Sequence, residues 1–344
     1  MKQLEVKASK PYSVKIGRDL LKSCGEVMQG EHLYGKVLIV TDDRVAELYL
    51  KTVSESLIQS GFEVYSYTFP QGEKSKTFDE LVKLLNFTVK CGFSRSDTLI
   101  ALGGGVVGDL CGFAAAVYMR GIAYVQIPTT LLAMVDSSVG GKTAVDLPNG
   151  KNAVGAFYQP TVVLCDIDTL KTLPEEEYAN GMAEVIKYGF ILDGELLEKL
   201  KRNFDEEEII ARCVKIKADL VASDEFDRGE RMLLNFGHTL GHAIEAKSNY
   251  TVPHGNAVAV GMVKITQICV ENGRCPNKTL EQMIDLLQQY RLPTQSKYTN
   301  RELFQLTMAD KKNSGESITV VLPVQTGKCE LKKMSKNEWN EFLK

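Results

Sequence analysis

The first half of the chain alternates short apolar runs with segments whose apolar residues recur at helical spacing. The runs predict strands at residues 36–41, 62–69, 98–102, 123–127 and 162–168, and the segments between them predict helices at 43–60, 76–91 and 106–118. Strands that alternate with helices form parallel sheets, because each return to the same sheet edge needs a crossover. We therefore predict an α/β amino-terminal domain with a mostly parallel, Rossmann-like sheet and helices on both faces.

The pattern changes after residue 168, where helical spacing dominates. Helices are predicted at 175–190, 205–222, 231–248, 256–272 and 279–290, with one late strand at 317–323. We find no internal repeat and no long Gly/Pro/Ser linker. The chain is thus expected to form an α/β domain over 1–170 and an α-helical carboxyl-terminal domain over 171–344, which pack closely with the active site in the cleft between them.

Composition excludes several classes of protein. The 41 Lys and Arg residues nearly balance 44 Asp and Glu, so the net charge of −3 gives no indication of nucleic-acid binding. The Lys-rich amino terminus lacks the apolar core of a secretory signal, which favours a cytoplasmic protein. Residues 99–119 are apolar over the length of a membrane span, but five glycines and Asp109 indicate a buried strand, loop and helix instead. The eight cysteines are scattered without a CxxC pair and are expected to be free thiols.

A glycine cluster follows the third predicted strand. Residues 103–109 read GGGVVGD, which contains GxGxxG at the start of a helix, where backbone amides can approach a pyrophosphate. Tight packing between strand and helix is the alternative explanation. Unlike an ordinary dinucleotide fingerprint, the motif has no Asp or Glu about 20 residues further on to hold a ribose. Asp42 and Glu73, near the ends of earlier strands, are candidates for that role.

A second glycine-rich segment, VDSSVGGKTAVD, spans residues 135–146. Its GGKT sequence resembles the end of a Walker A loop, but Asp136 occupies the position of the required first glycine, so we reject an NTPase. The segment offers Asp136 and Lys142, with Lys151 and Asn152 following, to an anionic ligand. Lysines in a solvated loop are the simpler interpretation.

Three of the four histidines fall within 17 positions in the second half. Asn235, His238 and His242 are spaced to share one face of a helix, and His254 follows. Glu184 lies in an otherwise apolar predicted helix, where a carboxylate needs a cation: either Lys187 one turn on, or a metal. Catalytic zinc commonly takes two histidines and a carboxylate. HTLGH lacks the Glu of the HExxH motif, so peptide hydrolysis is not expected.

Taken together, the motifs resemble the 3-dehydroquinate synthase family over nearly the whole chain. The matching segments are GGGVVGDLCGFAAAVYMRG, QIPTTLLAMVDSSVGGKTAV, GKNAVGAFYQP, LKTLPEEEYANGMAEVIKYG, LLNFGHTLGHAIE and MADKKNSG. The resemblance implies an NAD-binding first domain, a metal- and substrate-binding second domain, Zn²⁺ or Co²⁺, and a cytoplasmic homodimer of the shikimate pathway. The implied substrate is 3-deoxy-D-arabino-heptulosonate 7-phosphate, whose carbon 5 is transiently oxidised before phosphate is eliminated, the carbon is reduced again and an aldol step closes the ring of 3-dehydroquinate.

The resemblance also implies roles for individual residues. Glu184, His238 and His254 match the metal ligands, and His242 matches a group near the carbon 5 hydroxyl. Substrate contacts are implied for Arg120, Asp136, Lys142, Asn152, Lys187, Lys217, Arg231, Asn235 and Lys311. NAD contacts are implied for Asp42, Glu73, Lys76, Gly105, Val106, Val107, Gly108, Asp109, Thr129, Thr130, Lys142, Lys151, Thr169, Leu170, Lys171 and Thr172.

One position departs from the family pattern. The usual HGEAV reads HGNAV here, so Asn256 replaces a carboxylate two residues from an implied ligand. We expect this change to alter the surroundings of the metal while leaving the ligand set intact.

Three other functions remain open on the sequence alone. The chain is also compatible with a cyclase whose sugar-phosphate substrate lacks a carboxylate, although the many cations argue against it. A metal- and NAD-dependent polyol dehydrogenase would release NADH. A non-enzymatic metal- or nucleotide-binding module would leave the cations and His242 without a role.

Overall fold

The computed structural model describes residues 1–148, 150–309 and 317–343, and its chain divides into two compact units. The first unit comprises Met1–Pro174 and Glu206–Phe226, and the second comprises Glu175–Asp205 and Asp227–Lys344. The first division falls four residues beyond the expected boundary at 170. The segment Glu206–Phe226 differs from the expectation, because it was assigned to the helical domain and instead packs with the sheet.

A seven-stranded sheet organises the first unit, in the order β1-β2-β9-β6-β5-β3-β4. Neighbouring strands are parallel except β1 and β2. A separate antiparallel hairpin, β7–β8, packs against the helix that follows β5. The strands are β1 (Lys2–Val6), β2 (Tyr12–Gly17), β3 (Lys36–Asp42), β4 (Glu63–Phe69), β5 (Thr98–Gly103), β6 (Ala123–Pro128), β7 (Lys142–Leu147), β8 (Gly150–Phe157) and β9 (Val162–Asp166).

Helices cover both faces of this sheet, as the alternating pattern predicted. They are α1 (Cys24–Gly30), α2 (Asp43–Val45) continued through a π turn into α3 (Lys51–Gln59), α4 (Phe78–Lys90) and α5 (Gly105–Val117). Side chains of β3 alternate between the two cores: Leu38 and Val40 pack towards α4 and α5, whereas Val37 and Ile39 pack towards α1 and α3. The apolar stretch at 99–119 therefore forms β5 and α5. In the described part of the chain, no helix has the length and apolarity needed to cross a bilayer.

The second unit is mainly helical. Its helices are α6 (Glu175–Ile191), α7 (Gly194–Leu200), α9 (His238–Lys247), α10 (His254–Glu271), α11 (Asn277–Gln289), α12 (Asn300–Ala309) and α13 (Lys336–Phe342), while α8 (Glu206–Ser223) belongs to the first unit. One antiparallel hairpin, β10 (Ser317–Gln325) with β11 (Lys328–Ser335), contains the single late strand that was predicted.

Two differences from the predicted elements have clear physical reasons. The strands β1 and β2 alternate polar and apolar residues, so a prediction based on continuous apolar runs does not detect them; α8 packs against both and buries the apolar positions, such as Val14 and Ile16. The single helix predicted over 231–248 is wrong. A 3₁₀ helix spans Glu230–Asn235, and α9 begins separately at His238. Between them Gly237 has a φ of 78°, which interrupts the helical backbone.

Close helix contacts hold the centre of the second unit together. A Cβ atom on Gly261 of α10 would overlap the carbonyl oxygen of Gly237, at the start of α9. A Cβ on Gly255 would overlap the backbone of Asn180 in α6, and the Gly255 amide donates a hydrogen bond to the Asn180 side chain. Glycine thus lets α10 approach both α9 and α6 at backbone distance.

We predict that Gly261→Ala destabilises the protein by about 1–3 kcal/mol or more, because backbone of α9 must move to admit the methyl group. The control is Gly30→Ala, whose Cβ has no atom within 4 Å, and which should be neutral or stabilising. Urea unfolding of both variants measures the difference. Equal stability of Gly261→Ala and the wild-type chain would contradict the packing described.

Candidate active site

The glycine cluster lies in the turn from β5 into α5. A Cβ on Gly103 would come within 2.5 Å of Val107, and one on Gly108 within 2.9 Å of the Gln126 side chain, so tight packing does account for part of the motif. The first turn of α5 nevertheless presents the amides of Gly105, Val106 and Val107, which have no partners inside the helix. The packing interpretation is therefore confirmed for Gly103 and Gly108, and the pyrophosphate interpretation stays a prediction.

Thr129 and Thr130 border the same turn, at the carboxyl end of β6. The Thr129 amide donates to the carbonyl oxygen of Gly103 at 3.0 Å, and the Thr130 hydroxyl accepts from the amide of Ala133 at 3.1 Å. The predicted NAD residues from two neighbouring strands are thus adjacent at the carboxyl edge of the sheet.

The buried Lys76 contacts three other predicted residues directly and is linked to a fourth through Glu73. Lys76 Nζ lies 2.5 Å from Asp109 Oδ2 and 3.7 Å from Glu73 Oε1, and donates to Asn152 Oδ1 at 2.6 Å. Lys151 pairs with the same Glu73 oxygen at 3.5 Å. Burial lowers the pKa of Lys76, but Asp109 and Glu73 outweigh burial and raise it. The lysine is therefore charged when it meets an anionic ligand.

The sequence analysis missed Asp146 in this cluster. Its Oδ1 accepts the amide of Asn152 at 2.6 Å, and this contact holds Asn152 in a left-handed conformation with a φ of 51°. The signal was present, since Asp146 ends the glycine-rich segment, but its strand pairing was not foreseen. Residues 142–146 of that segment lie in β7, the first strand of the β7–β8 hairpin, with Lys142 exposed at its start.

The other predicted NAD residues also follow strands of the sheet. Asp42 Oδ1 accepts the amide of Val45 at 2.8 Å and so caps α2. Burial raises the Asp42 pKa, ahead of the opposing effect of that hydrogen bond. Thr169, Leu170, Lys171 and Thr172 form a 3₁₀ helix, Ile167–Thr172, directly after β9. All of them lie at the carboxyl edge of the sheet.

Two predicted substrate residues pair within the first unit. Lys217 Nζ donates to the Asp136 carbonyl oxygen at 2.6 Å and to its Oδ1 at 2.7 Å, and only 6% of Lys217 is exposed. Asp136 belongs to a π turn, Ala133–Ser137, whereas Lys217 is on α8. Lys217, expected in the second domain, therefore pairs with Asp136 inside the first unit.

Arg120 is separated from the residues above. It lies between α5 and β6, at the amino-terminal edge of the sheet, with a φ of 64° and an exposed side chain. The glycine turn lies at the opposite edge, about 20 Å away along the six residues of β5. Within the first unit, Arg120 therefore lies apart from the predicted residues at the carboxyl edge of the sheet.

The second unit brings together the three predicted metal ligands. One donor atom each of Glu184, His238 and His254 lies within 4.8 Å of the others. Both Nε2 atoms are 3.5 Å from Glu184 Oε1, and Lys187 pairs with Glu184 Oε2. Glu184 is fully buried. The two alternatives for this carboxylate, a lysine or a metal, are thus compatible, because they engage different oxygens.

The two histidines of this trio have opposite pKa shifts. Burial, followed by the charge of Lys187, lowers the pKa of His238 well below its usual value. Burial also lowers the pKa of His254, but hydrogen bonds with Glu184 and Glu245 outweigh it and raise the pKa to about 9. His238 is therefore neutral, whereas His254 would have to lose a proton before it could coordinate a cation.

Glu245 is a second residue that the sequence analysis missed. It is 2% exposed, and its Oε2 lies 3.4 Å from His254 Nδ1 and 3.9 Å from His242 Nε2. Its spacing of three from His242 on α9 was a usable signal.

The remaining predictions in this unit have mixed outcomes. His238 and His242 share a face of α9, but Asn235 belongs to the preceding 3₁₀ helix with the buried Arg231, so its place on the same helix is a wrong prediction. Asn256 lies two residues along α10 from His254, about 200° around the axis, and the partner of His254 Nδ1 is Glu245. The geometry thus gives no support to an effect of Asn256 on the metal. Lys311 lies outside the described residues.

Solved structures with the same fold include a 2-deoxy-scyllo-inosose synthase complexed with carbaglucose-6-phosphate, NAD⁺ and Co²⁺. It has a TM-score of 0.88 and 25% identity, with 99% of each chain covered. A 2-epi-5-epi-valiolone synthase from Streptomyces hygroscopicus, with NAD⁺ and Zn²⁺ bound, gives 0.88 and 24%, with 100% of this chain and 98% of that chain covered. An iron-containing alcohol dehydrogenase from Thermotoga maritima gives 0.67 and 14%, with 98% of each covered. The fold is that of the sugar-phosphate cyclases.

Sequence comparison is more specific. Residues 66–180 match the 3-dehydroquinate synthase N-terminal model and residues 181–313 the C-terminal model. The 3-dehydroquinate synthase of Streptococcus suis is 45% identical over 343 residues, with 97% of each chain covered, and that of Clostridium botulinum is 46% identical over 342, with 96% and 98% covered. This chain belongs to the 3-dehydroquinate synthase family.

We predict that Glu184→Ala, His238→Ala and His254→Ala each lose bound metal, because a three-ligand site weakens sharply when one ligand is removed. His242→Ala, the matched control on the same helix, should retain it. Metal analysis of the four purified variants decides the assignment. Loss of metal from His242→Ala alone would exchange the roles of the histidines.

Proposed function

We propose that this chain converts 3-deoxy-D-arabino-heptulosonate 7-phosphate to 3-dehydroquinate and inorganic phosphate in the cytoplasm, as a carbon–oxygen lyase of the shikimate pathway. The observation that carries the proposal is the cluster of Glu184, His238 and His254 around the buried Glu184 carboxylate, which Lys187 also contacts. It is supported by the 3-dehydroquinate synthase of Streptococcus suis, which is 45% identical over 97% of this chain.

A divalent metal fits the donor set of the second unit. Two imidazoles and one carboxylate, all within 4.8 Å, are the ligands that catalytic zinc takes while leaving a position open for substrate. Co²⁺ suits the same ligands. Glu184, His238 and His254 would hold the ion, and the retained Lys187 would keep one carboxylate oxygen directed away from it.

NAD fits the carboxyl edge of the sheet in the first unit. The first turn of α5 offers amides to the pyrophosphate, and the absence of a Cβ at Gly105 leaves space beside them. Asp42 and Glu73 supply carboxylates after β3 and β4, as the ribose needs. The remaining proposed cofactor contacts are Lys76, Val106, Val107, Gly108, Asp109, Thr129, Thr130, Lys142, Lys151, Thr169, Leu170, Lys171 and Thr172.

When bound, NAD supplies the hydride acceptor and donor for carbon 5, and the metal acts as a Lewis acid on the oxygen of that carbon. His242 takes the proton of the carbon 5 hydroxyl, and its orientation is supported by Nε2 facing Glu245 at 3.9 Å. Lys187, Arg231 and Lys217 are buried cations that suit a carboxylate and a phosphate. Asp136, Lys142, Asn152, Asn235 and Lys311 complete the proposed substrate contacts.

Cyclases that act on a sugar phosphate without a carboxylate are the nearest alternative. Carbaglucose-6-phosphate, bound in one structural neighbour, has no carboxylate, but that neighbour is only 25% identical. The proposed substrate has a carboxylate that such a sugar phosphate lacks, and the buried cations Lys187, Lys217 and Arg231 suit that additional anionic group. Polyol dehydrogenases, related through the fold alone, would accumulate NADH.

We predict that NAD at one tenth of the concentration of the heptulosonate phosphate supports complete release of its phosphate, because the same carbon is oxidised and then reduced again. Glucose 6-phosphate, which lacks the carboxylate, is the control and should release none. Phosphate release and absorbance at 340 nm are followed together. Product that stops at one equivalent of NAD, with NADH accumulating, would identify a dehydrogenase instead.

The position of Arg120 supports a homodimer. The resemblance implies that this arginine contacts substrate. The proposed NAD residues of the same chain lie at the other edge of the sheet, so Arg120 would contact the substrate of a second copy of the chain. Phe78, Val82 and Val89 form an exposed apolar stripe on α4, within about 40° of one another around the helix axis. Met119, beside Arg120, is also exposed, at 47%. A second copy would cover these residues.

We predict that Val89→Asp converts a dimer into a monomer, because a carboxylate in an apolar interface would lose its hydration. Ile58→Asp is the control, since Ile58 is equally exposed but lies on α3, against the other face of the sheet. Light scattering after size exclusion gives the mass. A dimeric Val89→Asp, or a monomeric wild-type chain, would reject the proposed interface.

A further inference from the structure

The partners of the ligand imidazoles point to a role for Glu245. Each ligand histidine directs Nε2 towards Glu184, at 3.5 Å, and Nδ1 away from it. His238 Nδ1 lies 3.1 Å from the carbonyl oxygen of Phe236, whereas His254 Nδ1 lies 3.4 Å from Glu245 Oε2. The two rings are thus held in the same way, one by a backbone carbonyl and the other by a carboxylate.

We propose that Glu245 is a positioning residue for the metal site: it accepts the Nδ1 proton of His254 and thereby leaves the Nε2 lone pair for the ion. A neutral imidazole carries one proton, so an acceptor at Nδ1 selects the tautomer that can coordinate through Nε2. A carboxylate in that place also raises the basicity of the ligand. The inference rests on the metal site proposed above.

The burial of Glu245 agrees with this role. A carboxylate that is 2% exposed has lost its hydration, and the structure places both His254 and His242 against the same oxygen, Oε2. Glu245 and His242 lie one turn apart on α9, and the α9–α10 contact brings His254 to them. One oxygen therefore orients a metal ligand and the residue proposed to take the substrate proton.

Glu245 has an alternative role as a ligand. Donor atoms of His242, Glu245 and His254 also lie within 4.8 Å of one another, so a cation could bind there instead. That site would use a different nitrogen of His254 or displace its contact with Glu184. The state of the His254 ring distinguishes the two arrangements.

The first experiment measures zinc affinity by competition with a chelator, without NAD or substrate, at a temperature where circular dichroism shows every variant folded. Glu245→Gln removes the charge, and Glu245→Asp keeps the charge but withdraws it from Nδ1. We expect affinity to fall about 10–100-fold in both. Asn256→Glu, which adds a carboxylate on another side of α10, and Glu80→Gln, a buried carboxylate of the first unit, should each stay within about twofold of wild type.

Affinity within twofold of wild type in either Glu245 variant overturns the proposal, because a purely structural carboxylate would not change metal binding by the folded chain. Cobalt loading adds a spectroscopic readout: the ligand-field bands should shift in Glu245→Gln and not in Glu80→Gln. If Glu184→Ala and His238→Ala also keep full affinity, the proposed metal site itself has failed. If they lose metal while the Glu245 variants do not, only the role of Glu245 is wrong.

A second experiment needs no variant. The chain has four histidines, so ¹⁵N-histidine labelling gives four ring systems to assign by NMR in the zinc-loaded protein. We expect His254 with its proton on Nδ1 and zinc on Nε2. Zinc on Nδ1, or a proton on Nε2, would overturn the proposal even where both Glu245 variants fail to fold.

Discussion

The burial of one carboxylate constrains the whole second unit. Glu184 has no exposed surface, and an ionised carboxylate in such a place is stable only among cations and hydrogen-bond donors. Lys187 satisfies one oxygen, and the imidazoles of His238 and His254 face the other. Because these side chains come from three helices, α6, α9 and α10 must pack so that their backbones nearly touch, which explains the glycines at their crossings.

The side chains around Glu184 would be oriented for the proposed metal site before any ion binds. The Nδ1 atoms of both ligand histidines have oxygen partners, so the rings are held with Nε2 towards Glu184. Such partners lower the cost of ordering the ligands and select their protonation state. The pKa of His254, raised to about 9, follows from two carboxylates around one ring. A divalent ion held by Glu184, His238 and His254 would take the place of that proton.

The first unit contains buried lysines, each paired with carboxylate groups. Lys76 is buried with Asp109, Glu73 and Asn152 around it, and Lys217 is buried with Asp136. Each cation is held in place by acceptors from segments distant in sequence. Asp109 and Glu73 raise the pKa of Lys76 in spite of its burial, so this lysine keeps its charge away from bulk water. The β7–β8 hairpin and α8 are the elements that complete these pairs.

The sequence by itself determined the parallel sheet and the helical second half, and the family resemblance predicted the trio of Glu184, His238 and His254. Continuous apolar runs reveal buried strands, and helical spacing places His238 and His242 on one face, because both patterns depend on local geometry. The family motifs identified the remaining residues. Only the tertiary structure decided that α8 joins the sheet, that the helix predicted over 231–248 breaks at Gly237, that Arg120 lies at the opposite edge, and that Glu245 and Asp146 complete their clusters. Those outcomes depend on contacts between residues far apart in the chain, which no local pattern records.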